Sequence, residues 1–142
     1  MKPDHTKTLA LLIVGVLLVG CAHAASYNEE QMYSLAAALS KLSRAIDSAV
    51  AMRGAPEGLS EEELLDFATR DDPSLREPFV QHKLHVLRQG KNSAVLVCTP
   101  DGRRALLEDA GCTGRFERHW WREDPSKSCA FTLDLAATCG AP

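Results

Sequence analysis

The N-terminal segment of this 142-residue chain has the charge and hydropathy order of an export signal. Lys2 and Lys7 precede an unbroken apolar run over residues 9–20, and small residues follow it. Secretory signal peptides have this order and are removed from the mature protein, so residues 1–20 are excluded from reasoning about the fold. The segment predicts that residues 21–142 form a single small domain outside the inner membrane of a bacterium.

The end of this segment determines how the exported domain is held. Leu18-Val19-Gly20-Cys21 resembles the lipobox of bacterial lipoproteins, in which the cysteine is lipidated and becomes the mature N-terminus. The resemblance covers residues 1–21 and implies a lipid anchor on Cys21. Because Ala22 is not an inner-membrane retention signal in that pattern, it also implies the periplasmic face of the outer membrane. The membrane is then a partner through this anchor, since several acyl chains give stable attachment.

Two other interpretations of the same segment stay open. Ala22-His23-Ala24 is an A-x-A site for ordinary signal cleavage, which would release a soluble periplasmic protein. Alternatively, residues 9–25 remain as an anchor, although they only reach the short limit of about 17 residues for a bilayer span. The intact mass of the mature protein distinguishes the three.

Four cysteines remain once Cys21 is set aside, and an even number in an oxidising compartment predicts two disulfides. They are Cys98, Cys112, Cys129 and Cys139. Three pairings are compatible with the sequence. The expected pairing is Cys112 with Cys129 and Cys98 with Cys139, because the first bond would close the loop that contains both tryptophans. No two of these cysteines have C-x-x-C spacing, so neither a metal site nor any cofactor is predicted.

The charge and the motifs of the chain exclude several classes of function. Lys2, Lys7 and Asp4 leave with the signal, so the net charge of −3 becomes −4. A nucleic-acid partner is not expected, because such binding needs a clustered basic face. The sequence has no G-x-S-x-G, H-E-x-x-H, S-x-x-K or P-loop motif, so no catalytic residue is predicted. His82 with His85, and Glu108 with Asp109, point to opposite faces of a strand and make no predicted site.

Residues 28–70 have the patterns of two helices. Asn28 is a predicted N-cap, apolar residues then recur at steps of three and four as far as Ala49, and Gly54 with Pro56 ends the helix. Ser60 and Glu63 form a capping box for a second, shorter helix that runs to about Arg70.

From Phe79 the apolar period changes from that of a helix to that of a strand. Turns at residues 88–92, 99–102 and 123–126 separate the apolar runs. The resulting prediction is an α+β fold, with the long helix and the short capped helix packed on a mostly antiparallel sheet of four or five strands. The strands are expected near residues 84–86, 94–98, 103–108, 115–122 and 129–135.

One segment, Arg115–Arg122, has the composition of a binding surface, because it contains both tryptophans, three arginines and a histidine. If it is extended, Trp120 shares a face with Phe116 and is the buried tryptophan, whereas Trp121 is exposed. Exposed tryptophan beside arginine is typical of binding hot spots. The candidate binding residues are Arg115, Arg118, His119, Trp121 and Arg122.

The function expected from these features is a non-catalytic protein-binding or assembly module of the envelope, with an envelope protein as its partner. The alternative is a soluble periplasmic domain that binds glycan or inhibits a hydrolase through the same tryptophans. The simplest interpretation of the segment needs no ligand: Trp121 covers the sheet edge, and arginine stems lie across it.

Overall fold

A long N-terminal helix, α1 (Glu29–Ala51), forms one layer of the computed structural model, which describes residues 27–140. It begins at the predicted N-cap, where the Asn28 side chain accepts a hydrogen bond from the Glu30 amide at 2.8 Å. Its buried stripe follows the predicted spacing and includes Leu35, Leu39, Leu42 and Ile46. The predicted signal peptide, the lipidation of Cys21 and the alternative cleavage site lie outside the described residues.

The second helix, α2 (Glu61–Thr69), begins at the predicted capping box. The Ser60 hydroxyl accepts from the Glu63 amide, and the Glu63 carboxylate accepts from the Ser60 amide. A 3₁₀ helix over Pro73–Phe79 follows and packs with α2 against α1. Between residues 27 and 140, no helix combines the length and the apolar character that a bilayer span requires.

The sheet contains three antiparallel strands in the order β1 (Lys83–Gln89), β2 (Asn92–Cys98) and β3 (Ala105–Ala110). One face packs against α1 and contributes Val86, Val95, Val97 and Leu107 to the main core. On the other face lie Ala94, Leu96, Cys98 and Ala110. The predicted α+β class is confirmed, and so is the packing of the long helix on the sheet.

The prediction of four or five strands is wrong for the described part of the chain, which forms three. Residues 115–122 pair with β3 only at the bridge between Glu108 and Arg118, and then turn into the short helix α3 (Trp120–Glu123). Residues 129–135 form no strand, because the amides of Thr132 and Leu133 donate to the buried Glu108 side chain instead of to a neighbouring strand.

The final segment, residues 129–139, crosses the second face of the sheet, which is the face away from α1, and ends in α4 (Leu135–Cys139). Phe131 packs near Leu96 and Cys98 at one end, and Leu135 packs on Ala94 and Ala110 at the other. Both faces of the sheet are therefore covered, one by α1 and one by irregular chain.

The two disulfides join Cys98 to Cys129 and Cys112 to Cys139, so the expected pairing was wrong. Cys98 ends β2 and Cys112 follows the end of β3. Because these strands are antiparallel, the two cysteines lie at opposite ends of the sheet. The final segment starts beside Cys98 at Cys129 and finishes beside Cys112 at Cys139. Its direction across the sheet determines the pairing.

Gly111 lies where the chain leaves β3 and passes directly against α1. A Cβ atom there would be 2.3 Å from the Ser43 carbonyl oxygen and 2.4 Å from the Asp47 Cβ. Neither atom is the end of a flexible side chain, so the backbone would have to shift. Only glycine fits this approach.

We expect Gly111→Ala to lower the free energy of unfolding by about 2 kcal/mol or more, because overpacking here forces β3 away from α1. Urea unfolding measures the effect. Gly114→Ala is the matched control, since a Cβ at Gly114 meets nothing within 4 Å. Equal stabilities of the two variants would contradict the close approach.

Candidate functional site

The aromatic and cationic segment belongs to a loop that both disulfides hold. Cys112, at the start of the loop, is bonded to Cys139 in α4, and Cys129, at its end, is bonded to Cys98 in β2. Between them the backbone pairs with β3 at Glu108, where the two amide–carbonyl hydrogen bonds with Arg118 measure 3.0 and 3.2 Å. The loop is therefore attached to the rigid sheet at both ends and at one point between them.

One group of side chains in this loop packs against the N-terminal half of α1. The Tyr33 ring lies edge-on to His119 and to Trp121, with centroid distances of 5.3 and 6.4 Å. The Arg122 guanidinium lies over both Tyr33 and Trp121, donates to the Tyr33 hydroxyl and pairs with Glu29 at 3.4 Å. Three predicted surface residues, His119, Trp121 and Arg122, thus have partners on α1 or within the loop itself.

His119 links the rings of this group. Its Nδ1 accepts from the Trp121 indole N–H at 3.4 Å, and its ring packs on Phe116 at 4.6 Å between centroids. Burial, together with the nearby charge of Arg122, holds the pKa of His119 below its usual value. The neutral form that this favours leaves Nδ1 free to accept.

The second group surrounds Trp120 on the other side of the sheet edge. The Trp120 indole N–H donates to Glu108 Oε2 at 3.0 Å, so the tryptophan is held from within. The Arg118 guanidinium and the Lys127 ammonium lie 5.6 and 5.2 Å from the centre of its ring. Within residues 27–140, neither these cations nor Arg115 has a carboxylate oxygen within 4.0 Å.

The expected contrast between a buried Trp120 and an exposed Trp121 was wrong, because both rings are half-buried. Trp121, rather than Trp120, packs with Phe116 on the main core, while Trp120 packs on the opposite face. Strand alternation does not apply here, since both tryptophans belong to a helical turn. The predicted surface is accordingly divided: Arg115 and Arg118 are exposed, with Arg118 beside Trp120, and the other three residues face α1.

A cleft of about 510 Å³ adjoins the Trp120 group, between the loop and the final segment. Arg115 and Arg118 line it together with Phe116, Leu133 and Ala137. A carboxylate, that of Glu117, also lines the cleft, but it accepts from the Ala110 amide and the Thr113 hydroxyl. The cleft therefore combines an apolar wall with two exposed guanidinium groups.

A buried acidic group lies at the junction of α1, β3 and the loop. Asp109 is 2 % exposed and accepts from the Ser43 hydroxyl at 2.5 Å. Its other oxygen, Oδ1, has no hydrogen-bond partner among the described residues. Burial, followed by the neighbouring carboxyl of Glu117, raises the pKa of Asp109 to about 7. The expectation that Glu108 and Asp109 point to opposite faces holds, because each is buried on a different side of the sheet.

The sequence did not reveal several residues that build the site. Tyr33 follows the first core residue of α1 and is 46 % exposed, and Lys127 follows the predicted turn at residues 123–126. Two adjacent acidic residues in the otherwise apolar strand Ala105–Ala110 were the available signal for Glu108 and Asp109. Their partners lie in other elements, so the pattern alone could not name them.

Among residues 27–140, histidine and cysteine side chains form one group with metal-ligand atoms close together. His82 and His85 do not form a common site, because His82 precedes β1 and His85 pairs with Glu61 at 3.1 Å. Only His85 belongs to this group. A ring nitrogen of His85 lies within 4.8 Å of the sulfur atoms of Cys98 and Cys129, which are bonded to each other.

Comparison of the chain with protein-family models, curated proteins and solved structures gives no match. The function is therefore inferred from the contacts of the residues themselves.

We expect Asp109 to make the domain less stable as the pH rises from about 4 to 7. Its pKa is raised on folding, so the folded state binds the proton more tightly, and this stabilising contribution is lost between the unfolded and folded pKa values. Lowered pKa values of His82 and His119 act in the opposite direction. The measurement is therefore the difference in unfolding free energy between wild type and Asp109→Asn, by urea unfolding from pH 4 to 8.

The unfolding free energy of Asp109→Asn relative to the wild type should increase up to about pH 7 and stay constant above it. A difference that does not change with pH would show that Asp109 titrates normally.

Proposed function

We propose that the protein is a non-catalytic protein-binding module of the bacterial envelope that docks an acidic segment of a partner protein. The docking surface consists of Arg115, Arg118, Trp120 and Lys127. The observation that carries the proposal is the pair of cations over the half-buried Trp120 ring, with no carboxylate partner for either within the described residues.

The chemistry of the docking surface favours a partner that presents carboxylates beside an apolar side chain. Arg118 offers a planar pair of N–H donors that matches a carboxylate, and Arg115 lies beside it along the cleft. The apolar wall formed by Phe116 and Leu133 would take a neighbouring aliphatic or aromatic side chain. The chain as a whole has a net charge of −3, whereas this face presents three cations.

The attachment of the loop supports binding without reorganisation. Both ends are covalently fixed, and the Trp120 indole is held by Glu108 before any partner arrives. A surface that is ordered in the free protein avoids part of the entropic cost of association. Tryptophan and arginine are also the residues that most often dominate binding energy at interfaces.

The compartment agrees with an envelope role. Two disulfides indicate an oxidising, extracytoplasmic environment. Lipidation of Cys21 and attachment to the outer membrane are part of the proposal, and release at Ala24 is its alternative. Fractionation without detergent separates them, because only the lipidated form stays with membranes.

A displayed library of random peptides tests the docking surface directly. We expect the enriched sequences to contain Asp or Glu next to an apolar residue. Synthetic peptides of those sequences should bind at least 10-fold more weakly to the Arg118→Ala/Lys127→Ala double variant, because the cations that meet the carboxylate are removed. Titration calorimetry measures the affinities.

Arg70→Ala is the matched control for this experiment. Arg70 also lies over an aromatic ring, that of Phe67 at 4.7 Å, but it caps the C-terminal end of α2, which packs on α1 and β1 rather than beside β3. Its replacement should leave the affinity unchanged. Enriched peptides without acidic residues, or peptide binding that the double variant retains, would overturn the proposal, as would selective binding of an envelope glycan in place of any peptide.

A further inference from the structure

We infer that the Cys98–Cys129 disulfide conceals a copper(I) site, which opens when the bond is reduced and which uses His85 as its third ligand. One ring nitrogen of His85 and the two sulfur atoms lie within 4.8 Å of one another. The inference does not require the proposed docking function, but reduction of this bond would release one of the two fixed ends of the docking loop.

The fold places the three ligands on the second face of the sheet. Lys83 pairs with Cys98 and His85 pairs with Leu96, so His85 and Cys98 are diagonal neighbours on one face of β1 and β2. Cys129 reaches them because its amide donates to the Arg103 carbonyl at 3.0 Å, where the returning chain runs beside the start of β3. Strand register and this hydrogen bond are interactions that reduction of the disulfide does not itself break.

His85 is already oriented as a metal ligand. Its Nδ1 lies 3.1 Å from Glu61 Oε2, and that oxygen also accepts from the Val86 amide at 3.2 Å. Histidines that bind metals usually bond a carboxylate or carbonyl through one ring nitrogen and the metal through the other. The contact with Glu61 leaves Nε2 available. The His85 side chain is 42 % exposed, so an ion can reach it.

The ligand set selects the metal. Two thiolates and one imidazole are soft or borderline donors, which favour copper(I) over magnesium, calcium or manganese. Structural zinc sites take four protein ligands, and a zinc ion held by three needs a water molecule in the fourth position, whereas copper(I) is satisfied by three ligands. The other disulfide, between Cys112 and Cys139, has no third ligand of this kind among the described residues.

Opening the site requires a two-electron reductant such as a dithiol. One thiolate of the dithiol attacks the sulfur of Cys129, the more exposed of the two residues, and the Cys98 thiolate leaves. The second thiol of the reductant then displaces Cys129 and completes its own disulfide, so two electrons pass to the cysteine pair. Copper(I) binds both sulfurs as thiolates and displaces any protons that they carry.

Competition for copper(I) with bicinchoninate tests the site in the full chain. Every variant carries Cys21→Ser, and tris(carboxyethyl)phosphine is the reductant. The parent variant Cys112→Ser/Cys139→Ser should bind one copper(I) per chain when reduced and none when oxidised. Addition of His85→Ala should weaken binding at least 10-fold, and X-ray absorption of the parent should show two sulfur ligands and one nitrogen ligand.

The matched control is Cys98→Ser/Cys129→Ser, which keeps the other cysteine pair and should bind at least 10-fold more weakly than the parent. Glu61→Gln tests whether the carboxylate that contacts His85 orients it as a ligand. Glu61 is exposed, and its replacement is expected to lower the copper(I) affinity about 10-fold. Circular dichroism follows folding of the reduced parent. Equal affinity with and without His85, equal affinity of the two cysteine pairs, or a reduced chain that is unfolded and binds independently of His85 would overturn the inference. Preference for zinc would do the same.

Discussion

The buried carboxylate of Glu108 is the interaction on which the second half of the structure depends. It is fully buried, and its two oxygens accept four hydrogen bonds, from the Trp120 indole, the Thr132 amide and hydroxyl, and the Leu133 amide. A buried carboxylate without such donors would be strongly destabilising. Glu108 therefore supplies the hydrogen-bond acceptors that a further strand would otherwise have supplied. Irregular chain covers the sheet in place of that strand.

The same carboxylate connects the fold to the proposed docking surface. It fixes Trp120 from below, while Arg118 donates its amide to the Glu108 backbone and places its guanidinium over the tryptophan ring. The disulfides then hold the segment at its two ends. The features that stabilise the second face of the sheet are thus those that order the surface cations, so stability and recognition are properties of one network.

The sequence was sufficient to predict those elements whose determining contacts are local. The cap at Asn28, the box formed by Ser60 and Glu63, and the hairpin joining β1 to β2 depend on neighbours in the chain, and all three were predicted correctly. The structure of residues 115–135 could not be predicted in this way. The alternation of apolar and polar residues gives no information about amides that bond to a side chain on β3. Disulfide pairing failed for the same reason, since it follows from the direction in which the last segment crosses the sheet.

The stability of Glu108→Gln tests the role of this carboxylate most directly. The substitution keeps the shape of the side chain but replaces one acceptor oxygen by a donor, so two of the four buried donors lose their acceptor. Hydrogen bonds to a charged group are worth about 1.5–3 kcal/mol each, so urea unfolding should show a loss of at least about 2 kcal/mol, with both disulfides intact. A variant within about 0.5 kcal/mol of the wild type would contradict the central role of Glu108.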